Sequence, residues 1–187
     1  MTKDFIDLAA DLEQFDPLHE ARLLVLLGIA AKKEPVDGIM KLAKMDFLLR
    51  YPKVLERALI TISSKKPTAR KVAARIPEEV KDTVEGRMIR FRYGPWDKRY
   101  RRWLAIMVAK GLLNVSKQGR TVQVKLTPRG LEISSQLTNR AEFKELAERA
   151  DAVRFAVGEM SATRLMNLVY QITPEILGMK WGEAIKL

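Results

Sequence analysis

Trp96-Asp97-Lys98-Arg99-Tyr100-Arg101-Arg102-Trp103-Leu104-Ala105-Ile106-Met107-Val108-Ala109-Lys110-Gly111 is the stretch that decides the fold. Tyr100, Trp103, Leu104, Met107 and Val108 recur at helical spacing and predict the buried side of a helix over 96–110. Lys98, Arg101 and Arg102, at i, i+3 and i+4, share the other side. Gly111 supplies the helix stop. Leu112–Ser116, the turn Lys117-Gln118-Gly119-Arg120 and Thr121–Leu126 then read as a hairpin. Thr127-Pro128 opens a further helix through Leu131 and Leu137. Helix, glycine, strand, basic turn, strand and Thr-Pro-x-Gly is the order of a recognition helix followed by its wing.

Working back toward the N-terminus, Asp16-Pro17 predicts a helix start and an apolar helix to about Lys32, through Leu23, Leu24, Val25, Leu26, Leu27 and Ile29. Glu34-Pro35-Val36-Asp37-Gly38 reads as a turn, with Asp37 capping a second helix through Ile39, Leu42, Met45, Leu48 and Leu49. Pro52 stops or restarts that helix near Tyr51, and Val54–Ile62 is a third. Ser63–Ile76 carries five bases and no acid and is expected to be a loop or arm. Pro77 opens a short helix, and Met88–Tyr93 alternates as a half-exposed strand does, ended by Gly94-Pro95. Downstream, Thr138 or Asn139 caps a helix through Phe143, Leu146, Ala150, Val153 and Val157. Ser161 caps the next, and Thr173-Pro174-Glu175 starts a short last one.

The expected class is mainly α with a small β wing, in a winged-helix or tandem winged-helix architecture. Three parts are expected: residues 1–62, N-terminal and winged-helix-like; 77–137, a winged-helix unit with its wing near 117–120; and 138–187, C-terminal and helical.

Composition narrows the function. The chain has 187 residues, 47% hydrophobic and 30% charged, and a net charge of +11. Residues 1–20 hold six acids against Lys3, whereas residues 85–129 hold twelve bases against Glu85 and Asp97. Clustered cations of this kind point to a polyanion, with double-stranded DNA the first choice; a solubilising surface is the plainer alternative. Cysteine is absent and His19 is the sole histidine, so disulfides, thiol chemistry and soft-metal sites are not expected. Ala21–Ala31 is too short to span a bilayer, and the acidic start does not resemble a targeting peptide, so the expectation is a cytoplasmic protein with no membrane contact. No phosphate-binding glycine loop, Ser-His-Asp set or paired-carboxylate arrangement occurs, so neither an enzyme nor a cofactor is expected.

The candidate DNA contacts are Arg90 and Arg92 on the strand, Lys98, Arg99, Arg101 and Arg102 on the helix, and Lys117, Arg120 and Lys125 on the wing. Arginine forks suit phosphate oxygens. The helix offers few Asn, Gln, Ser or Thr side chains for reading base edges, so the expected contact is a sequence-independent grip on the backbone more than a readout of sequence. A solvated face beside an acidic protein surface is the competing reading. Tyr93, Trp96, Tyr100 and Trp103 admit base stacking but fit a core stripe better. Glu78, Glu79 and Asp82 read as a helix-start acid cluster before they read as a metal site.

Three stretches carry a family resemblance: Lys41–Pro52; Ile89–Asp97 running into Tyr100-Arg101-Arg102-Trp103; and Leu165–Tyr170 with Pro174-Glu175 and Lys180-Trp181-Gly182. Together, over roughly residues 18–185, they resemble the middle component of bacterial ABC-three-component systems, as in Lamassu anti-phage and anti-plasmid defence. Tyr93-Gly94-Pro95-Trp96-Asp97 is the most specific part. The resemblance implies a non-catalytic subunit beside an SMC-like, Rad50-like ATPase that senses foreign DNA and a separate effector, commonly a nuclease. A free-standing winged-helix transcription regulator and a kleisin-associated tandem winged-helix subunit of a condensation complex are the alternatives.

Overall fold

The computed structural model describes residues 16–31, 34–81 and 87–187. The acidic stretch before Asp16, and Asp82 of the acid cluster, lie outside them. Helix α1, Asp16–Ala30, leads to a short strand β1, Val36–Asp37, and helix α2, Ile39–Arg50. Pro52 at the first position then starts α3, Pro52–Ile62. Two short helices follow, α4 over Ala69–Ala73 and α5 over Glu78–Lys81. Strands β2, Ile89–Phe91, and β3, Gly94–Trp96, make a tight hairpin. Helix α6, Tyr100–Ala109, and the hairpin of β4, Leu113–Gln118, and β5, Thr121–Leu126, come next. Helices α7, Pro128–Thr138, α8, Lys144–Val157, α9, Ala162–Ile172, and α10, Glu175–Gly178, close the chain. The fold is thus mainly helical with little sheet.

Strand β1 corrects the reading of residues 34–38 as a turn. Val36 pairs with Val124 and Asp37 with Gln123, giving a three-stranded antiparallel sheet of order β1-β5-β4. Asp37 caps nothing: its carboxylate accepts a bond from the Gln123 amide, and Gly38, at φ 99°, starts α2. Two residues are too few to show an alternating pattern, so only the long-range partner reveals the strand. Gly94-Pro95 likewise does not end a strand but opens one, because Gly94 at φ 113° turns the chain back along β2. The segment 63–76 is not a free arm: Ala69, Ala73 and Ile76 are buried in the core, leaving its cations on the outside.

One continuous core runs through the molecule, from Leu23–Leu27 of α1 through Phe47 and Leu48 of α2 and Trp103 of α6 to Val153 of α8 and Leu165 of α9. Helix α1 packs on α7 and α8. Its crossing with α7 is close: a Cβ at Gly28 would stand 2.0 Å from the Ser134 hydroxyl oxygen. The Thr-Pro-x-Gly run gains a physical reason too. Thr127 accepts a bond from the Gly130 amide as N-cap and donates its hydroxyl to the Gly111 carbonyl. Gly130 presses on the Leu112 carbonyl oxygen, where a Cβ would approach to 2.0 Å. The end of α6, both strands and the start of α7 are therefore pinned to each other.

The β2–β3 hairpin is extended by the C-terminus. Arg90 donates its amide to the Glu183 carbonyl, Gly182 donates to the Arg90 carbonyl, and Ile185 donates to Met88. The Tyr51 hydroxyl clamps this arrangement, accepting from the Met88 amide and donating to the Ile185 carbonyl. Among the described residues no helix is long and apolar enough to cross a membrane.

Candidate nucleic-acid interface

Helix α6 is held from below by a buried ion network. Asp46 of α2 sits fully buried within the apolar run Met45-Asp46-Phe47-Leu48-Leu49. Its carboxylate accepts from Arg22 of α1 at 2.7 Å, from Arg50 Nε at 2.9 Å and from the Tyr100 hydroxyl at 2.5 Å. Arg50 reaches on to Asp97 at 3.0 Å, and Asp97 also takes two side-chain bonds from Arg99. Two buried arginines thus face two buried carboxylates, and Arg99 adds a cation at the rim. Four elements converge here: α1, α2, the loop after β3, and α6.

The charges fix the protonation states. Burial alone pushes the Asp46 carboxyl up, but Arg22 and Arg50 beside it, with bonds from Arg22 and Tyr100, outweigh burial and hold it well below the ordinary carboxylate range. Burial also acts against the Asp97 carboxylate, and the bonds from Arg99 with the charge of Arg50 bring it down to about 2. The Tyr100 phenol is pushed well above its ordinary value, by burial first and by Asp46 second. The tyrosine is therefore a fixed hydrogen-bond donor, and Asp46 a fixed acceptor.

An aromatic ladder runs beside these ions. Phe91 stacks near Trp96 at 6.1 Å between ring centres, Trp96 meets Tyr100 at 5.1 Å, and Tyr100 meets Trp103 edge-on at 5.5 Å. The Arg99 guanidinium lies 4.9 Å over the Trp103 ring. Trp103 itself donates its indole N–H to Asp16 at the start of α1. Tyr100 and Trp103 are accordingly core residues and unavailable for stacking on bases.

The outer side of α6 is what this framework presents. Arg101, Arg102 and Ala105 are exposed, and Val108, expected on the buried side, is 42% exposed. Val108 stands seven residues after Arg101, two full turns on, and so shares its direction. The helix Tyr100–Ala109 contains no Asn, Gln, Ser or Thr. It carries charge outward but none of the small amide or hydroxyl side chains that read adenine and other base edges.

The nine candidate contacts fall into distinct groups. Lys98, Arg101, Lys117 and Arg120 are exposed, and no ion pair engages them among the described residues. Arg102 is exposed but paired with Asp16 at 2.7 Å. Arg99 is absorbed by Asp97 and Trp103. Arg90 is no surface cation: it is buried, donates Nε to the Ile176 carbonyl at 2.9 Å and lies over the Tyr170 ring. Arg92 is exposed at the hairpin turn, away from α6 in sequence, with its guanidinium over Tyr93. In the wing, Gly119 at φ 60° makes the two-residue turn between Gln118 and Thr121, so Arg120 caps its tip. Lys117 pairs in register with Val122 and Lys125 with Asn114. Side chains alternate along a strand, so Lys117 and Lys125 project from opposite faces of the sheet. Lys125 shares its face with Gln123 and Asp37, and the tip cations are Lys117 and Arg120.

Sequence reasoning missed Asp46, Arg22 and Asp97 as a unit. The signal was there: a lone acid inside a run of large apolar residues is buried, and a buried acid requires cations. No family model, curated protein or solved structure matches this chain.

Proposed function

We propose that this chain is a winged-helix DNA-binding subunit that grips duplex backbone with Lys98, Arg101, Lys117 and Arg120, and does no chemistry itself. The observation that carries the reading is topological. A helix, a short strand, a helix, then α6, β4 and β5 come in that order, and the strand order β1-β5-β4 is that of a winged helix with a segment, 51–99, inserted before its recognition helix. Arg101 stands on the helix, Lys98 in the turn that leads into it, and Lys117 and Arg120 on the wing, the parts that such a unit offers to DNA. The absence of Asn, Gln, Ser and Thr from α6 favours sequence-independent contact over a transcription regulator's readout.

In the fuller reading, suggested by the family resemblance, the chain is a cytoplasmic accessory component of an ABC-three-component defence complex. Its partners there are an SMC-like, Rad50-like ATPase and an effector nuclease, and DNA contact helps couple ATPase sensing to the effector. Exposed Leu177 of α10 offers apolar surface at the C-terminal end for such a partner. Purification of the tagged chain from its native host tests this. A large coiled-coil ATPase and an effector are expected to co-purify. A homodimer bound to one operator sequence, without an ATPase, contradicts it. Blunt duplexes of unrelated sequence are expected to bind with equal affinity, falling about tenfold or more as salt rises from 50 to 200 mM.

A further inference from the structure

The cations of α6 adjoin a second surface that the duplex-binding reading does not use. At the β2–β3 hairpin three aromatic rings face solvent: Phe91 is 41% exposed, Tyr93 48% and Trp181 68%. The Arg90 carbonyl accepts from the Gly182 amide and Ile89 bridges Ala184, so the turn that carries Trp181 lies beside the β2 edge of the hairpin. Phe91 is backed by Trp96, which is itself backed by the buried Tyr100. The platform is therefore held on a rigid base, and a ligand stacking on it orders little that is not already ordered. Arg92 lies 5.4 Å over Tyr93, and exposed Lys98 and Lys180 flank the rings in sequence. The carboxylate of exposed Glu183 is engaged by the Lys180 amide.

We propose that this tip is a stacking platform for unpaired nucleotides. Exposed rings interleaved with cations suit a single strand: the rings take base faces, and Arg92, Lys98 and Lys180 take phosphates. Charge favours this occupant over an apolar protein surface, because the rim is cationic on a chain of net charge +11. The platform rests on the duplex-binding reading only in its setting, since β3 leads through Asp97 directly into α6. The ring contacts from Phe91 through Trp96 to Tyr100 connect the tip to the first turn of α6.

Binding of labelled oligo(dT) and of a blunt mixed-sequence duplex to the full chain, measured in parallel, tests the proposal. The variant Phe91→Ala/Tyr93→Ala/Trp181→Ala is expected to lose roughly tenfold or more in oligo(dT) affinity, with blunt-duplex affinity unchanged. Oligo(dT) should also quench the tryptophan fluorescence of the native chain, and Trp181→Phe, a change at an exposed side chain, should remove that quenching. Undiminished oligo(dT) binding by the triple variant overturns the platform. So does a native chain that ignores oligo(dT) while the same variant loses a co-purifying protein, which would make the tip a protein-docking surface. Ring-dependent oligo(dT) binding without duplex binding would instead sink the proposed function and leave the platform standing.

Discussion

Arginine is used in opposite ways on the two sides of α6. Beneath the helix, Arg22 and Arg50 are buried against Asp46 and Asp97, with every carboxylate shared between donors. Above it and along the wing, Arg101 and Arg120 stand exposed with no acid engaged among the described residues. The difference lies in the neighbours. Where a carboxylate is folded into the core, arginine becomes a fastener between helices. Where the chain supplies no acid, the same side chain remains available to an outside anion. Asp16 on Arg102 and Glu20 on Lys110 mark the boundary between the two regimes.

Removing the shared acid should break the inner region first. Asp46→Ala leaves buried Arg22 without a carboxylate and Arg50 with Asp97 alone, and is expected to cost about 3–5 kcal/mol, enough to compromise soluble expression. Denaturant unfolding measures it, and a loss comparable with that of a surface change would mean that the network is open to water. Tyr100→Phe takes away one donor to a charged acceptor, for about 1.5–3 kcal/mol. Gly130→Ala drives a methyl into the Leu112 carbonyl and is expected to lose about 1–3 kcal/mol despite the better helix propensity of alanine. A more stable Gly130→Ala protein would contradict the tight junction between wing and α7.

The same contrast has a pH signature. The Asp46 and Asp97 carboxyls lie below their ordinary value of 3.8 when folded, so the unfolded chain binds more protons as acid is added. Their contribution is complete at neutral pH and drains away as pH falls below about 3.8, toward 2 for Asp97. Asp46→Asn should flatten that acid limb. The smallest stability effect belongs to the outer region: Arg101→Ala should change unfolding by less than about 0.5 kcal/mol while still weakening duplex binding.

How far the sequence disclosed this arrangement varies from one element to the next. The body of α6, the β4–β5 hairpin and the helix after Thr127 were legible because period, turn glycine and cap agree locally. Trp96, however, belongs to β3, and α6 starts only at Tyr100, not at 96. Strand β1 was hidden, since two residues form a strand only through partners near Val124. The fate of the cations was half legible. Lys98, Arg101, Lys117 and Arg120 are exposed as their polar setting suggested, whereas Arg90 and Arg99 are bound inward by a carbonyl and a carboxylate distant or concealed in the sequence. Trp181 stood out in the sequence only as part of the family resemblance, and its exposure beside the hairpin was not legible because that setting is made by backbone bonds between the C-terminus and β2.

The central claim is that cations on the outside of α6 and at the wing tip hold duplex DNA while those beneath hold the fold. Charge reversal at Arg101, Lys117 and Arg120 to Glu, followed by blunt-duplex binding across a salt series, tests it most directly. The account predicts an unfolding curve close to that of the native chain, and duplex binding that is lost together with its salt dependence. Native-like binding and salt slope in the reversed protein would contradict it.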